Sequence, residues 1–256
     1  MQRFEKKEFM KNIILPLVAT FFIATSFYGL KEEITNAKSN DKDTLSTVTS
    51  LAKVEKLNLS SEVYQTLVFD EEVLESTIFE KAFKGFERLK QLGKIPQEST
   101  ILTICDFSLS SNKKRLWVID VQQKKILFNT LVAHGKNTGE EFAENFSNTE
   151  SSLQSSMGFF VTDGTYVGEN GYSLKLHGMD PGYNDAALKR LIVMHGADYV
   201  SPDFAAKHNR IGRSWGCPAI PRALAEPIIN TIKNQNVLFI YYPNQEYLQN
   251  SEWLNS

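Results

Sequence analysis

The chain has 256 residues, of which 42% are hydrophobic and 11% aromatic, and its formal net charge is −2. This apolar content excludes disorder of the whole chain and suffices for one medium-sized domain with a hydrophobic core. The balanced charge gives no basic surface of the kind that nucleic-acid-binding proteins use.

The N-terminus carries a pattern typical of an export signal. Three lysines within the first eleven residues precede an apolar run over residues 12–26. A basic head before an apolar segment directs export, and Ala24-Thr25-Ser26 would suit cleavage. Apolar residues continue to Leu30, so an uncleaved anchor is the alternative, near the lower limit of roughly 17 residues for a membrane span. We expect residues 1–30 to be a signal peptide or membrane anchor, and the protein to act in the periplasm or cell envelope.

A polar linker and a helical extension are predicted next. Residues 31–60 are polar and poor in aromatics, as spacers are. Over residues 61–96 we expect two helices, and the second has apolar residues at helical spacing. That apolar face consists of Phe79, Ala82, Phe83, Phe86 and Leu89. A capping-box pattern at 77–80 predicts where this helix begins, and Gly93 suits the position just after its end.

The period changes after Pro96, where short β-branched and aromatic runs predict strands. The expected strands lie at 101–107, 115–121, 125–134, 158–162, 173–177, 191–195 and 237–242. Between them we expect a long polar loop at 135–156, a short helix near 184–189, and a helix at 227–233 that has Pro227 in its first turn. The pattern predicts a mainly β (α+β) domain over residues 97–243, followed by a peripheral tail at 244–256.

The segment from Gly212 to Pro221 carries the strongest chemical signal. Cys217 lies in it, and cysteine is a powerful nucleophile once it becomes a thiolate. Gly216 leaves space beside the sulfur, so that consecutive backbone N–H groups could bind the oxygen of an attacked carbonyl. His195 ends an apolar predicted strand, which makes it the candidate base.

These residues resemble a known family. His195-Gly196, followed by Ser214-x-Gly216-Cys217, is similar to the signature of L,D-transpeptidases, the family built on the YkuD-like catalytic domain. The segments 132–139 and 155–160 resemble those before its catalytic strands. The likeness is greatest to the subgroup that carries Ser-Trp-Gly-Cys-Pro-Ala, the murein L,D-transpeptidase catalytic domain proteins. The resemblance implies a β-rich YkuD-like catalytic domain with a helical N-terminal extension.

The resemblance also implies a reaction on peptidoglycan stem peptides. His195 would take the proton of Cys217, and the thiolate would attack the third-residue carbonyl of a tetrapeptide stem and release D-Ala. The acyl group would then pass to an amine of another stem, with no cofactor and no metal. A backbone carbonyl beside the catalytic histidine orients it in the family, which corresponds to Gly196. Ser214 would support the active site.

Two positions depart from the family pattern. Trp215 replaces the histidine that usually precedes Gly-Cys, and Ala219 replaces an arginine two residues after the nucleophile. Another guanidinium could hold a substrate carboxylate in a bidentate fashion. Arg213 is the first candidate, with Arg210 and Arg222 as alternatives. Trp215 and His177 complete the predicted substrate-binding residues.

Several alternatives remain open at this level. Cys105 and Cys217 could form a structural disulfide, as is common in exported proteins. An L,D-carboxypeptidase would use the same acyl-enzyme with water as acceptor. A zinc-dependent wall peptidase could use His177, Asp180 and His195. A non-catalytic envelope protein could bind peptidoglycan through a degenerate domain.

The remaining polar candidates have structural interpretations. We expect Asn184, Asp185 and Arg190 to cap the short helix and pair internally rather than to contact substrate. His134 is either a satisfied structural residue or part of the cleft, and His208 is expected in a surface loop.

Overall fold

The computed structural model describes residues 59–255. The predicted signal peptide or anchor, and almost all of the predicted linker, lie outside these residues. Within the described range, no helix combines the length and the apolarity that a membrane crossing requires.

Eight strands form one mixed sheet, and helices cover both of its faces. The helices are α1 (59–66), α2 (Ser76–Gln91), α3 (Pro202–His208), α4 (Arg222–Ile232), α5 (Gln245–Asn250) and α6 (Glu252–Asn255). The strands are β1 (Ile101–Asp106), β2 (Leu116–Asp120), β3 (Lys125–Thr130), β4 (Gly158–Gly168), β5 (Gly171–Gly178), β6 (Val193–Ala197), β7 (Ala219–Pro221) and β8 (Val237–Tyr241). The expectation of a mainly β, α+β domain is confirmed.

The strand order is β3-β2-β1-β8-β4-β5-β6-β7, with parallel pairing at β1/β8 and β6/β7 and antiparallel pairing elsewhere. β8 is central and covered on both faces, which explains its unbroken apolar sequence. Val237 and Phe239 join the core cluster under α2, whereas Leu238 and Ile240 join the cluster under α4. The β6/β7 end of the sheet carries the motif residues.

Helix α2 buries the predicted apolar face completely, from Phe79 to Leu89. Its end is also as predicted: Gly93 adopts a left-handed φ of 64°, and the N–H groups of Gly93 and Lys94 donate to the carbonyls of Lys90 and Leu89. The predicted capping box is wrong, because the helix begins at Ser76 after Glu75, and no side chain caps it.

The residues after Asn244 belong to the core, so the prediction of a peripheral tail is wrong. The side chains of Tyr247, Trp253 and Leu254 are buried in the cluster that α2 covers. The indole N–H of Trp253 also donates to the carbonyl of Met179 at 2.8 Å. Three large apolar residues spaced over two short helices gave too little periodicity for this packing to be read from the sequence.

A buried carboxylate joins this C-terminal segment to the sheet. Asp180 accepts hydrogen bonds from the Phe159 N–H and the Ser251 hydroxyl, both at 2.7 Å, and from the Tyr247 hydroxyl at 3.4 Å. Burial nevertheless raises the pKa of Asp180 to about 6, against the opposing effect of these hydrogen bonds. Folding therefore makes this carboxyl easier to protonate than it is in the unfolded chain.

We expect wild-type stability to fall, relative to an Asp180→Asn variant, as the pH rises. The folded pKa of about 6 lies above the ordinary value of 3.8, so folding favours proton uptake. Stability from this group is greatest below pH 3.8 and is lost as the pH rises towards 6. Thermal unfolding of both proteins from pH 3.5 to 7 measures the difference. A constant difference across this range would contradict the assignment.

Three further local predictions need correction. Residues 181–191 form consecutive turns rather than a short helix. Helix α4 begins at Arg222, so that Pro227 lies inside the helix and not in its first turn. Strand β7 and helix α3 were missed because their sequences are short and include prolines, which are poor signals for either element.

Candidate active site

His195 occupies the middle of β6, between Ser173 of β5 and Ala219 of β7, and not the strand end that the sequence suggested. Its side chain is buried, and its Nδ1 lies 3.2 Å from the carbonyl oxygen of Gly196. Since a carbonyl only accepts, Nδ1 carries the proton and Nε2 keeps a free lone pair. Burial lowers the pKa of His195, as does Arg222 nearby, while the Gly196 carbonyl opposes this. The imidazole is therefore a neutral base.

Cys217 lies in the loop just before β7, where its sulfur reaches the edge of β6. Its Sγ accepts a hydrogen bond from the Val193 N–H at 3.5 Å and donates to the Leu191 carbonyl at 3.7 Å. Burial raises the pKa of the thiol, partly offset by the Val193 N–H and by the charge of Arg190. Within the described residues, no hydrogen bond joins this thiol to the His195 imidazole. His195 pairs through β6 with Ala219 of β7, two residues after Cys217, so the sheet brings the segments of both residues to the same end.

The loop that carries Cys217 is fixed by short hydrogen bonds. The Ser214 hydroxyl donates to the Cys217 carbonyl at 2.6 Å and accepts from the Gly216 N–H at 3.1 Å. From outside the loop, the Ser155 hydroxyl donates to the Gly216 carbonyl at 3.1 Å. The Ser214 N–H donates to the carbonyl of His134. Ser214 thus holds the turn in which the sulfur sits.

This turn requires a glycine at position 216, and the N–H group of Gly216 is bonded within the loop. Its φ of 124° is one that other residues rarely adopt. Its N–H donates to the Ser214 hydroxyl at 3.1 Å and is thus engaged within the loop. The Cys217 N–H, in contrast, meets no acceptor among residues 59–255 and remains available as an oxyanion donor.

We expect Gly216→Ala to destabilise the fold by about 1–3 kcal/mol, a range typical of overpacking. An added Cβ would lie 2.7 Å from the backbone oxygen of Gln154 and 3.0 Å from a methyl group of Ile192. Urea unfolding measures the loss. Gly164→Ala is the matched control, because the space beside Gly164 is open. Equal stability of the two variants would contradict this geometry.

The predicted carboxylate ligand Arg213 is largely engaged within the protein. Its guanidinium donates to the carbonyls of Lys136 and Gly139 and pairs with Glu140 at 2.7 Å. Arg210 shares the same carboxylate at 3.0 Å. The third candidate, Arg222, instead pairs with Asp198 at 2.6 Å.

An open cavity of about 330 Å³ lies beside this cluster. Its lining is basic and aromatic, and consists of Lys136, Tyr199, Phe204, Arg210, Gly212 and Arg213. Burial raises the pKa of Tyr199 to about 12, and the neighbouring Cys217 adds to this effect. The phenol is thus electrostatically coupled to the thiol. Sequence analysis did not single out Lys136 or Tyr199: Lys136 lies in the segment 132–139 but its side chain was given no role, and Tyr199 lies outside the motif segments.

The other two predicted substrate-binding residues, Trp215 and His177, lie in different parts of the structure. Trp215 is 78% exposed beside the thiol, and Leu191, whose carbonyl contacts the sulfur, is 76% exposed. His177 instead bonds Asp163 on the neighbouring strand at 3.0 Å. In the described part of the chain, no hydrogen bond connects His177 with Cys217 or His195.

The alternative disulfide and zinc site are not supported. Both cysteines are free, and Cys105 is buried in β1, so no disulfide joins them. His134 is a buried structural residue, whose Nδ1 accepts from Arg115 at 2.8 Å. In residues 59–255, no three His, Cys, Asp or Glu side chains are grouped as metal ligands. The proposed zinc triad of His177, Asp180 and His195 is therefore not assembled.

The comparisons with known proteins agree on one domain type. The model of the L,D-transpeptidase catalytic domain matches residues 70–241. No curated protein matches the chain.

Distant similarities to solved structures were also found. An L,D-transpeptidase from Mycobacterium smegmatis is 10% identical, with a TM-score of 0.35; the alignment covers 56% of this chain and 59% of that one. An L,D-transpeptidase from Stackebrandtia nassauensis is 11% identical, with a TM-score of 0.35 and coverage of 74% and 92%. The chain thus spans less than two thirds of the Mycobacterium smegmatis structure.

Proposed function

Because this chain belongs to the family of L,D-transpeptidase catalytic domains, we propose that it is a peptidoglycan L,D-transpeptidase with Cys217 as nucleophile and His195 as base. The proposal is supported above all by the His195 tautomer. Its Nδ1–H is committed to Gly196, which leaves Nε2 as the proton acceptor. A neutral base beside a neutral thiol is suited to proton transfer during attack.

The proposed reaction has two acyl transfers. Nε2 of His195 takes the thiol proton, and Sγ of Cys217 attacks the carbonyl carbon of the third residue of a tetrapeptide stem. The C–N bond to D-Ala breaks, and the leaving amine takes the proton from His195. The amine of a second stem then attacks the thioester, forms the new amide and returns the proton to sulfur. The free Cys217 N–H would stabilise the oxyanion in both steps.

The imidazole and the thiol must approach each other for the first step. Catalytic hydrogen bonds are often unformed without substrate and tighten in the substrate complex. The backbone contacts of Cys217 with Leu191 and Val193 are long, at 3.7 and 3.5 Å, and are readily exchanged for a bond to His195. We expect rotation of the Cys217 side chain to bring the sulfur to the imidazole, while Ser214 holds the loop backbone.

We place the substrate carboxylates in the basic cavity beside the site. Lys136, Arg210 and Arg213 contribute three positive charges to it, and Glu140 pairs with two of them. A stem peptide that ends in D-Ala carries a carboxylate and would be attracted there. The ammonium group of Lys136 forms no ion pair within the described range, so it is the strongest candidate for direct contact. Trp215 would cover the apolar part of the stem.

Product analysis distinguishes transpeptidation from L,D-carboxypeptidase action and from binding without turnover. The full-length protein is incubated with a disaccharide-tetrapeptide, and the products are identified by mass spectrometry. Cross-linked dimer with released D-Ala supports transpeptidation, whereas tripeptide without dimer indicates an L,D-carboxypeptidase. Binding of peptidoglycan with no turnover would favour a non-catalytic envelope protein and refute the proposal.

The proposed reaction requires a location outside the cytoplasm. The basic and apolar pattern over residues 1–30 supports export to the periplasm or cell envelope, either with cleavage or as an anchor. Cell fractionation of the full-length protein tests this. Recovery in the cytoplasmic fraction alone would contradict export.

A further inference from the structure

Arg190 is half-buried in an irregular segment, and all the hydrogen bonds of its guanidinium go to neutral groups. Its two terminal nitrogens make four hydrogen bonds of 2.6–3.0 Å to one loop. The acceptors are the Ser147 carbonyl, the Ser156 hydroxyl, the Ser152 hydroxyl and the Gln154 carbonyl. The buried Nε–H has no partner within the described residues. The guanidinium thus gathers the loop over 147–156 into one arrangement.

That loop lies directly against the nucleophile segment. The Gln154 carbonyl, which Arg190 binds at 2.7 Å, approaches Gly216 so closely that no side chain would fit there. The next residue, Ser155, donates to the Gly216 carbonyl. A chain of short contacts therefore runs from Arg190 through Gln154 and Ser155 to the residue before Cys217.

The backbone after Arg190 reaches the sulfur from the other side. Leu191 has a left-handed φ of 56°, a costly conformation for a residue other than glycine, and its carbonyl oxygen contacts Sγ of Cys217. Arg190 is thus one residue away from a direct contact with the thiol. It forms no ion pair in the described part of the chain, so its positive charge is not neutralised by a carboxylate.

We propose that Arg190 is a positioning residue of this active site: it holds the 147–156 loop against Gly216 and brings a positive charge with no ion-pair partner among the described residues to the segment that contacts Cys217. The effect of Arg190 on turnover rests on the proposed function, whereas its effect on the thiol does not. No other charged side chain follows Cys217 before Arg222, which is paired with Asp198.

Arg190 contributes a positive charge and a forked set of hydrogen bonds, and two substitutions test these contributions separately. Arg190→Gln removes the charge, and Arg190→Lys keeps the charge but removes the forked hydrogen bonds. The charge favours the thiolate, since Arg190 lowers the pKa of Cys217. The fork holds the loop, which places Cys217 for attack. Lys189→Gln is the matched control, because Lys189 is the adjacent cation, exposed and paired with Glu150 of the same loop at 3.7 Å.

The test follows alkylation of Cys217 by iodoacetamide against pH in the full-length protein, with the labelled cysteine identified by peptide mass. Arg190→Gln is expected to raise the pKa of Cys217 and therefore to slow its alkylation at pH 8, because loss of the positive charge disfavours the thiolate. Arg190→Lys and Lys189→Gln should retain the wild-type pKa. An unchanged pKa in Arg190→Gln would overturn the electrostatic role.

Turnover of disaccharide-tetrapeptide tests the role of the fork. Arg190→Lys is expected to lower kcat at least about fivefold, with the pKa of Cys217 retained, since misplacement of a catalytic group is costly. Unchanged kcat in that variant would overturn the loop-holding role, and this holds even if Arg190→Gln does not fold. If the wild type itself turns over no stem peptide but the alkylation result stands, the proposed function fails and the effect of Arg190 on Cys217 does not.

Discussion

Cys217→Ala is expected to lower turnover of disaccharide-tetrapeptide by on the order of 10⁴-fold or more, as removal of a covalent nucleophile does. Without the sulfur no thioester forms, and the Cys217 N–H alone cannot replace it. The loop should survive, because Ser214 binds the backbone of residues 216 and 217 and not the thiol. Released D-Ala, measured over time, gives the rate.

Cys105→Ala is the control for loss of a thiol. Cys105 is buried in β1 and free, and burial raises its pKa, so it should be catalytically silent. Its replacement is expected to reduce stability only slightly and to leave the rate unchanged. Comparable activity of Cys217→Ala and the wild type would refute the nucleophile assignment, whatever the result at Cys105.

His195→Gln is expected to lower kcat/KM by roughly 10²–10⁴-fold, the usual contribution of a general base. Glutamine can keep a hydrogen bond to Gly196 but cannot take a proton at neutral pH. The wild-type pH profile should lose activity on its acidic side at a pH below 6.5, because burial lowers the pKa of His195 from that value. Above this limb the imidazole is neutral and able to accept the proton.

The variant is expected to lack that acidic limb, since no imidazole titrates in it. His208→Gln is the matched control, because His208 is exposed at the end of α3, where its ring packs on Phe204. An acidic limb that persists unchanged in His195→Gln would assign the titration to another group. Full activity of the variant would remove His195 from the mechanism.

Much of the fold follows from local patterns. The apolar face of α2 could be predicted because burial of one face imposes a helical period on the sequence, and most strands could be predicted from their β-branched and aromatic runs. The helix end at Gly93 could also be predicted, because the left-handed conformation after a helix strongly favours glycine. The candidate nucleophile and base were also accessible, because Cys217 and His195 lie in short segments whose residue types are informative by themselves.

The predictions that were wrong or missing concern features that depend on contacts between residues distant in sequence. Trp253 packs against α2, and Arg190 binds a loop about forty residues earlier, and neither contact leaves a periodic signal. Pro227 suggested the start of a helix, although the helix begins at Arg222 and accommodates the proline inside. The engagement of Arg213 by Glu140 likewise depends on how residues 136–140 fold back, which local propensity does not determine.

One measurement tests the central claim most directly: the intact mass of the full-length protein after brief mixing with disaccharide-tetrapeptide in the absence of an acceptor. We predict a covalent adduct equal to the substrate mass minus D-Ala, located at Cys217 by peptide mapping and absent from Cys217→Ala. An adduct at another residue, or release of D-Ala by Cys217→Ala at the wild-type rate, would contradict the proposed acyl-enzyme.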